Sequence, residues 1–460
     1  MTVLWLTQGA ADQLSAVRDG LGTPLLARLM GVVGIATMIG IAWALSADRR
    51  KVNWRLVGIG VALQALFGTI VLKTALGQAL FDGVNTVFGQ LLAFTEHGSR
   101  FVFGNLVRNN VPVGGVVGTP ADMAPLQSTE VWANTGAYFA FSVLPTIIFF
   151  SSLISVLYYL GVMQKMVGGI AWVMQRTMRT SGAETLSVAG NIFVGPTEAP
   201  LLIRPFIDKM TESELNTVMV GGFATIAGGV MAAYVGMLSP YFPEIAGHLF
   251  TASVMNAPAA LVISKLLVPE VGEPATTSRT KLKVERTETN VIEAAAVGAS
   301  QGLQLALNVG AMLIAFVALL AMVNFGVGAV GGMVGAESLT LEAMLGWMFA
   351  PLVWLMGVPW SDAGLVGSLI GVKVIATEFV AYLQLAGVLD TVGSLSPRGS
   401  VIAVYALLGF ANIPTIAIQI GGIGGIAPKR RGDLSRLGLK AMVGGNLAAF
   451  MSASLAGMLA

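Results

Sequence analysis

Two glutamates stand in apolar surroundings, one in each half of this 460-residue chain. Glu198 follows Thr197 in "VGPTEAPLL", and Glu378 follows Thr377 in "VIATEFVAY". A carboxylate surrounded by hydrocarbon is costly unless it faces partners or water. Its oxygens accept hydrogen bonds from hydroxyl and ring N–H groups. These residue types therefore suggest recognition of a small polar molecule or an ion within a membrane.

The composition supports a membrane protein, because 55% of the residues are hydrophobic and only 11% are charged. Soluble domains carry about 25% charged residues. The net charge of +2 gives no reason to expect nucleic acid as a partner, and membrane lipid is the expected surrounding. The chain has no cysteine and two histidines, and no nucleophile–base set is evident. We therefore expect neither an enzyme nor a tightly bound cofactor.

A transmembrane helix needs about 20 mostly apolar residues. We predict eight spans, at 24–46, 54–76, 133–161, 217–240, 248–268, 296–326, 399–424 and 436–459. Residues 79–105 and 163–182 are amphipathic and are expected to lie along the interface; loops or partial spans are the alternative. Residues 269–290 form a polar linker.

Basic residues cluster within 49–55, 165–179, 279–286 and 429–436. Cytoplasmic connections of membrane proteins are enriched in Lys and Arg. If all four clusters are cytoplasmic, the eight spans thread consistently and both termini lie outside. Residues 184–208 must then enter and leave from the cytoplasmic side, and 361–388 from the outside. Both are predicted to be re-entrant hairpins.

Each hairpin is followed by a span that contains Gly-Phe-Ala, in "GFATIAGG" (222–229) and "GFANIPTI" (409–416). Two such units entering from opposite faces are typical of inverted-repeat secondary transporters. Proline breaks the first hairpin at its tip, and both following spans are expected to unwind in the middle. We expect Glu198 and Glu378 to meet at one wet pocket halfway through the bilayer; buried structural pairs are the alternative.

The fold class predicted is an all-α integral membrane protein, in which an inverted-repeat transport domain moves on a scaffold domain. The predicted division is: N-terminal spans and an interfacial segment in 1–105, a scaffold span and interfacial helix in 106–182, the first repeat in 183–245, scaffold spans and linker in 246–360, the second repeat in 361–425, and the last span in 426–460.

The hairpin and broken-span motifs, together with "TASVMNAPAALVISKLLVPE" and "GIAPKRRGDLSRLG", resemble the concentrative nucleoside transporter family over about residues 100–460. The resemblance implies a homotrimer in a bacterial inner membrane. It also implies nucleoside import by sodium or proton symport, through an elevator-like movement of the transport domain.

The resemblance further implies roles for individual residues. Residues that read the base match Thr197 and Glu198, while Pro196 stands where the family usually has a glutamine. Ribose ligands match Glu378, Asn412 and Thr415, and Phe410 matches an aromatic residue that packs against the nucleoside. The sodium ligands match Asn191, the carbonyls of Val194 and Ile226, and the Thr225 hydroxyl, with Gly229 where a serine is usual.

Alternatives remain open at this point. Protons could replace sodium as the coupling ion, with Glu198 or Glu378 as the carrier. The substrate could be a related polar metabolite. A transport-deficient, nucleoside-binding membrane sensor is the alternative from another functional class, and the departures at Pro196 and Gly229 are what support it.

Overall fold

The computed structural model describes residues 25–108, 110–112, 132–134, 138–274, 276, 288–333, 335–336, 339–391 and 393–459. Its helices of nine or more residues are α1 (Leu25–Ala44), α2 (Trp54–Lys73), α3 (Ala75–Phe103), α4 (Leu144–Tyr159), α5 (Val162–Met178), α6 (Gly182–Gly190), α7 (Glu212–Ala224), α8 (Gly228–Leu238), α9 (Ile245–Leu267), α10 (Val291–Met333), α11 (Leu341–Leu355), α12 (Trp360–Ile375), α13 (Glu378–Asp390), α14 (Pro397–Leu407), α15 (Ile413–Ile426) and α16 (Arg431–Leu459). Two short antiparallel strands, β1 (Asn110–Pro112) and β2 (Trp132–Asn134), pair with each other.

Seven helical segments of the described chain are long and apolar enough to cross a membrane: Ala27–Ala44, Trp54–Lys73, Phe139–Tyr159, Glu212–Leu238, Ile245–Leu267, Val291–Met333 and Pro428–Leu459. They fall on seven of the eight predicted spans. The eighth, 399–424, falls on α14 and α15, two short helices on either side of an unwound segment. The protein is therefore a multi-pass, helical membrane protein, and the predicted fold class is confirmed.

Both predicted hairpins correspond to a helix, a turn and a second helical segment. In the first, α6 ends at Gly190, and after the turn the chain continues as a 3₁₀ segment, Ala199–Ile203, and a helical turn, Arg204–Ile207. In the second, α12 and α13 pack against each other across a break at Ala376 and Thr377. The Thr377 hydroxyl accepts the Val380 N–H at 3.3 Å, so a side-chain cap fixes the point where α13 begins.

The sequence prediction missed one helix and underestimated the length of another. No element was assigned to residues 327–360, yet α11 lies there and packs along α12 at a bend of 119°. Helix α10 runs for 43 residues, well beyond the predicted 296–326. The reason for the first error is length, since the 15 residues of α11 are too few for a predicted span. The amphipathic segments form α3 and α5, and neither is among the seven segments that could cross.

The repeated unit is longer than the two predicted segments, 183–245 and 361–425. Each hairpin is preceded by a span and a second helix and followed by a broken span and a long helix, giving α4–α9 and α10–α16. The two long final helices contribute matching asparagines. Asn256 Nδ2 donates to Ala224 O at 2.6 Å, and Asn446 Nδ2 donates to Ala411 O at 2.9 Å. In both repeats, the side-chain amide of an asparagine on the long final helix therefore donates to a backbone carbonyl at the point where the span breaks.

Packing separates α9 from α10, which the predicted division placed together in the scaffold. Helix α9 is buried along most of its length and packs against α2, α7 and α16. Helix α10 instead packs along α4 and leaves most of its surface exposed. A Cβ at Gly298 of α10 would lie 2.7 Å from Ser151 O, so small residues let these two helices approach closely.

Candidate functional site

The breaks in the two interrupted spans touch each other at the centre of the protein. The first lies between α7 and α8, at 225–227, and the second lies between α14 and α15, at 408–412. Gly409 has a φ of 107°, and a Cβ there would lie 2.6 Å from Phe223 O and 2.8 Å from Ala224 O. Only glycine meets both conditions, because it has no Cβ and readily adopts positive φ.

Glu378 begins α13 beside this crossing and makes hydrogen bonds to both repeats. Tyr234 of α8 donates its hydroxyl to Oε1 at 2.9 Å, and Asn412 donates its amide to Oε2 at 2.6 Å. Asn412 Oδ1 in turn accepts the Thr415 N–H at 2.9 Å, which caps α15. The structure thus brings together the three residues that were matched to ribose recognition.

Tyr234 is a member of this cluster that the sequence analysis missed. It lies in the apolar stretch of α8, where the sequence pattern predicts that an aromatic residue belongs to the hydrophobic core. A buried tyrosine hydroxyl usually has a hydrogen-bond partner, however. A tyrosine in an apolar membrane helix could therefore have been identified from the sequence as a candidate member of a polar site. Its ring also packs on Tyr382 of the second hairpin, with 4.5 Å between the ring centroids.

The tip of the first hairpin lies against α15 of the second repeat. A Cβ at Gly422 would overlap Thr197 Cγ2, so this glycine makes room for the threonine. A Cβ at Gly222 would be 2.8 Å from Pro196 Cβ and 3.0 Å from Gln419 Nε2. Gln419, which the sequence analysis also missed, is buried and donates to Met219 O at 3.2 Å.

Glu198 has a different environment from Glu378. It is exposed, its Oε2 accepts the Gly195 N–H at 3.0 Å, and it lines a cavity of about 490 Å³ between the first hairpin, α4 and α10. Among the described residues, Glu378 does not line this cavity and is 4% exposed. The expectation that both carboxylates face one wet pocket is therefore wrong for this arrangement, because Tyr234 and Asn412 enclose Glu378. Phe410 is half-buried at the second break.

Four of the five residues matched to the sodium site are buried at the first hairpin and the first break: Asn191, Val194, Thr225 and Ile226. Asn191 directly follows α6 as its C-cap residue, and neither its Oδ1 nor its Nδ2 has a hydrogen-bond partner among the described residues. The Thr225 hydroxyl donates to Gly221 O at 2.9 Å, which leaves its oxygen free to accept. An unpartnered buried amide is costly, so these oxygens fit a site for a small cation.

Gly229 does not fit this cation site. A Cβ at this position would meet Ser151 Oγ at 3.2 Å and Ile147 O at 3.5 Å, and both groups belong to α4. The sequence analysis expected a missing sodium ligand here. The structure corrects this expectation, because a side chain at residue 229 would point to α4 and line the cavity that contains Glu198.

Comparison with known families agrees with this architecture. Sequence models described as "Na+ dependent nucleoside transporter" match residues 33–106 (N-terminus) and 248–457 (C-terminus). A third, described as "Nucleoside recognition", matches residues 140–241, which are nearly α4 to α8.

Related proteins match over almost the whole chain. An uncharacterized transporter of Haemophilus influenzae is 43% identical over 94% of this chain and 97% of its own. Sodium/nucleoside cotransporter 1 of the mouse is 39% identical over 99% of this chain, which spans 68% of that longer protein.

A solved structure of CNTnw, in an inward-facing substrate-bound state, has a TM-score of 0.83 at 44% identity and covers 94% of this chain and 98% of its own. A doubly substituted variant of CNTnw has also been solved in an outward-facing state. The chain belongs to the concentrative nucleoside transporter family, whose members are Na+ dependent secondary transporters of nucleosides.

Proposed function

We propose that this chain imports nucleosides by sodium symport, as a homotrimer in a bacterial inner membrane with both termini outside. The observation that carries this proposal is the cluster of Glu378, Asn412 and Thr415 at the crossing of two broken spans. Discontinuous helices with polar groups at mid-membrane depth are where secondary transporters bind substrate and coupling ion.

The ribose end of the substrate fits the Glu378 cluster. A carboxylate and a carboxamide oxygen accept hydrogen bonds from two neighbouring hydroxyls. In the described arrangement, Tyr234 and Asn412 donate to the two Glu378 oxygens, and the Thr415 N–H donates to Asn412 Oδ1. Binding of a ribose would exchange some of these bonds for bonds to its hydroxyls. A site built in this way rejects analogues that lack a hydroxyl, because its buried polar atoms would then be left unpaired.

The base end fits the tip of the first hairpin, where we propose contacts from Pro196, Thr197, Glu198 and Phe410. The cavity beside Glu198 has a volume of about 490 Å³. Small-molecule sites of about 300–1,000 Å³ are usual, and of these four residues only Glu198 lines this cavity, so binding of a nucleoside across both ends would require the hairpin tip to rearrange. Pro196 offers no side-chain donor or acceptor, so hydrogen bonds to the base must come from its neighbours.

Replacing Pro196 by Gln is expected to change which bases are preferred, because it adds an amide beside Thr197 and Glu198. A good hydrogen bond to the base contributes about 1 kcal/mol, so we expect roughly a five-fold change in the ratio of uridine to adenosine uptake. The measurement is competition uptake in proteoliposomes. An unchanged ratio, with an unchanged maximal rate, would show that residue 196 does not contact the base.

Sodium is proposed to bind between the first hairpin and the first break. Its ligands would be the Asn191 amide oxygen, the Thr225 hydroxyl, and the carbonyls of Val194 and Ile226. A cation there joins α6 to the ends of α7 and α8 and so orders the hairpin tip that carries Thr197. The ion can therefore favour substrate binding through differential stabilisation of one conformation.

Replacing Asn191 by Ala is expected to raise the sodium concentration for half-maximal uridine uptake by roughly ten-fold or more, since one charge–dipole ligand worth about 1.5–3 kcal/mol is lost. Sodium titration of uptake in proteoliposomes measures this change. The matched control is Asn105→Ala, at an exposed asparagine outside the hairpins. A wild-type titration curve for the Asn191 variant would rule out this residue as a ligand.

The movement is proposed to be elevator-like, between a scaffold of α4 and α10 and a body containing both hairpins, both broken spans, α9 and α16. Support comes from the packing, which holds α4 against α10 and buries α9 and α16 within the body. The mobile unit would include α9, in contrast to the division predicted from the sequence.

The overall proposal is tested with purified protein in vesicles that receive radiolabelled uridine or adenosine. An inward sodium gradient should drive accumulation, and a proton gradient alone should not. Binding without accumulation would support the nucleoside-binding sensor. Accumulation driven by a proton gradient would identify protons, and not sodium, as the coupling ion. If neither nucleoside accumulates or binds, the substrate is another polar metabolite.

A further inference from the structure

Gln419 has no exposed surface and lies in the middle of α15, a helix whose other residues are apolar except for Thr415. Its Nε2 donates one hydrogen bond, to Met219 O at 3.2 Å. Its Oε1 has no hydrogen-bond partner among the described residues. An unsatisfied buried acceptor is costly, so a glutamine at this position calls for an explanation other than packing.

Gln419 lies on the face of α15 that carries the proposed nucleoside contacts. Residues three and four positions apart share one face of a helix. Thr415, which we propose to bind the ribose, is therefore one turn before Gln419. Gly422, which makes room for Thr197, is one turn after it. The carboxamide thus lies between the proposed ribose end of the site and the tip of the first hairpin.

The carboxamide of Gln419 also meets Pro196 at that tip. A Cβ on Gly222 of α7 would lie 3.0 Å from Gln419 Nε2 and 2.8 Å from Pro196 Cβ. Both side chains are therefore close to the same point beside α7, where Gly222 has no side chain. Pro196 has no side-chain donor or acceptor, so Gln419 supplies the amide of this contact.

A carboxamide oxygen is suited to a nucleobase because it accepts hydrogen bonds from N–H groups. Each common base offers such a donor, either a ring N–H or an exocyclic amino group. An apolar side chain at residue 419 would pack within α15 but could not bind this donor. Glutamine at 419 can therefore supply what proline at 196 lacks.

We propose that Gln419 is a base-recognition residue, whose Oε1 accepts a hydrogen bond from an N–H group of the nucleobase. It acts from the second repeat, opposite residue 196, where the family usually has a glutamine. The inference rests on the proposed function, and it requires the hairpin tip to withdraw from α15 as the base binds. Oε1 then gains its missing partner from the substrate, which favours binding.

The test compares nucleosides that differ by a single donor. Purine riboside is adenosine without its amino group, and zebularine is cytidine without its amino group. Competition against sodium-driven uptake of radiolabelled uridine or adenosine in proteoliposomes gives the affinity ratio within each pair. In the wild type, the nucleoside with the amino group should bind roughly five-fold more tightly in each pair that competes, which is the factor expected from one hydrogen bond.

Gln419→Met keeps an unbranched side chain of similar length but removes the carboxamide. The affinity ratio within each pair should fall to about one, because the coupling between residue and substrate group is then lost. A glutamine that only supports α7 through Met219 would change the affinity of both members of a pair equally, and the ratio would stay as in the wild type. The matched control is Gln90→Met, at an exposed glutamine on α3.

Gln419→Glu is the second variant, because glutamic acid keeps an acceptor oxygen whether or not it is protonated. It should retain the preference for the amino-bearing nucleoside. Equal affinities within each pair in the wild type, or an unchanged ratio in Gln419→Met, would overturn the proposal. If Gln419→Met does not fold, equal affinities within each pair in Gln419→Glu would overturn it as well. These outcomes differ from failure of the proposed function, in which the wild type itself would bind neither uridine nor adenosine.

Discussion

Glu378→Gln is expected to reduce uridine uptake by at least roughly 100-fold, because the carboxylate is the acceptor for two donors at once. Glutamine has one acceptor oxygen, so its NH₂ group would face either the Asn412 NH₂, a second donor, or the Tyr234 hydroxyl, which would have to change from donor to acceptor. A hydrogen bond to a charged group is worth about 1.5–3 kcal/mol, and losing one or two of them corresponds to this factor. The ribose hydroxyls would lose the same acceptor.

The expected fall is measured as the initial rate of sodium-driven uptake and as the affinity for uridine. Glu96→Gln on α3 is the matched control, since Glu96 is exposed. Tyr234→Phe should have a smaller effect, because the carboxylate keeps both oxygens and only one donor is removed. Uptake at the wild-type rate in Glu378→Gln would place ribose recognition elsewhere and remove the main support for the substrate site.

The hairpins and broken spans could be predicted from the sequence because their signals are local. Prolines at 196 and 200 stop a helix wherever the chain lies, and charged residues at a hairpin tip do not fit a simple span. The alternation of basic connections then allowed only re-entrant segments at 184–208 and 361–388. The described helices fall in those places because the helix-breaking residues and the sidedness of the basic connections both predict hairpins there.

The missed residues share a different property, since each acts through a contact made in three dimensions. Tyr234 lies 144 positions before Glu378 in the chain. Nothing in the local pattern of α8 distinguishes this tyrosine from core. Gln419 reaches a carbonyl of another helix, so its role appears only after the helices are packed. The full extent of the repeat was hidden for the same reason, because α4 and α10 are related by packing and not by a shared motif.

Two expectations about the site were wrong, and both depended on which neighbouring elements a position faces. Gly229 is only four residues after Thr225, yet it points to α4, whereas Thr225 lies at the break itself. Glu198 and Glu378 occupy matching places in the two repeats, but only Glu378 has a tyrosine and an asparagine from other elements to enclose it. Equivalent sequence positions thus acquire different environments.

Gly409→Ala is expected to prevent correct folding, because this glycine lies where the two broken spans cross. A Cβ would lie 2.6 Å from one backbone carbonyl and 2.8 Å from another, and neither helix end can move without displacing the other break. The strained φ alone costs about 1–3 kcal/mol, and the overlap with backbone atoms adds to it. We expect a lower thermal midpoint in detergent and loss of uridine binding.

The matched control is Gly421→Ala on α15, where a Cβ would meet nothing within 4 Å and the backbone is helical. Alanine is the better helix former by about 1 kcal/mol, so this control should be as stable as the wild type or slightly more stable. A Gly409→Ala protein with the thermal midpoint and uridine affinity of the wild type would show that the backbones of the two breaks are not in close contact. The nucleoside site would then have to form without the crossing of the broken spans.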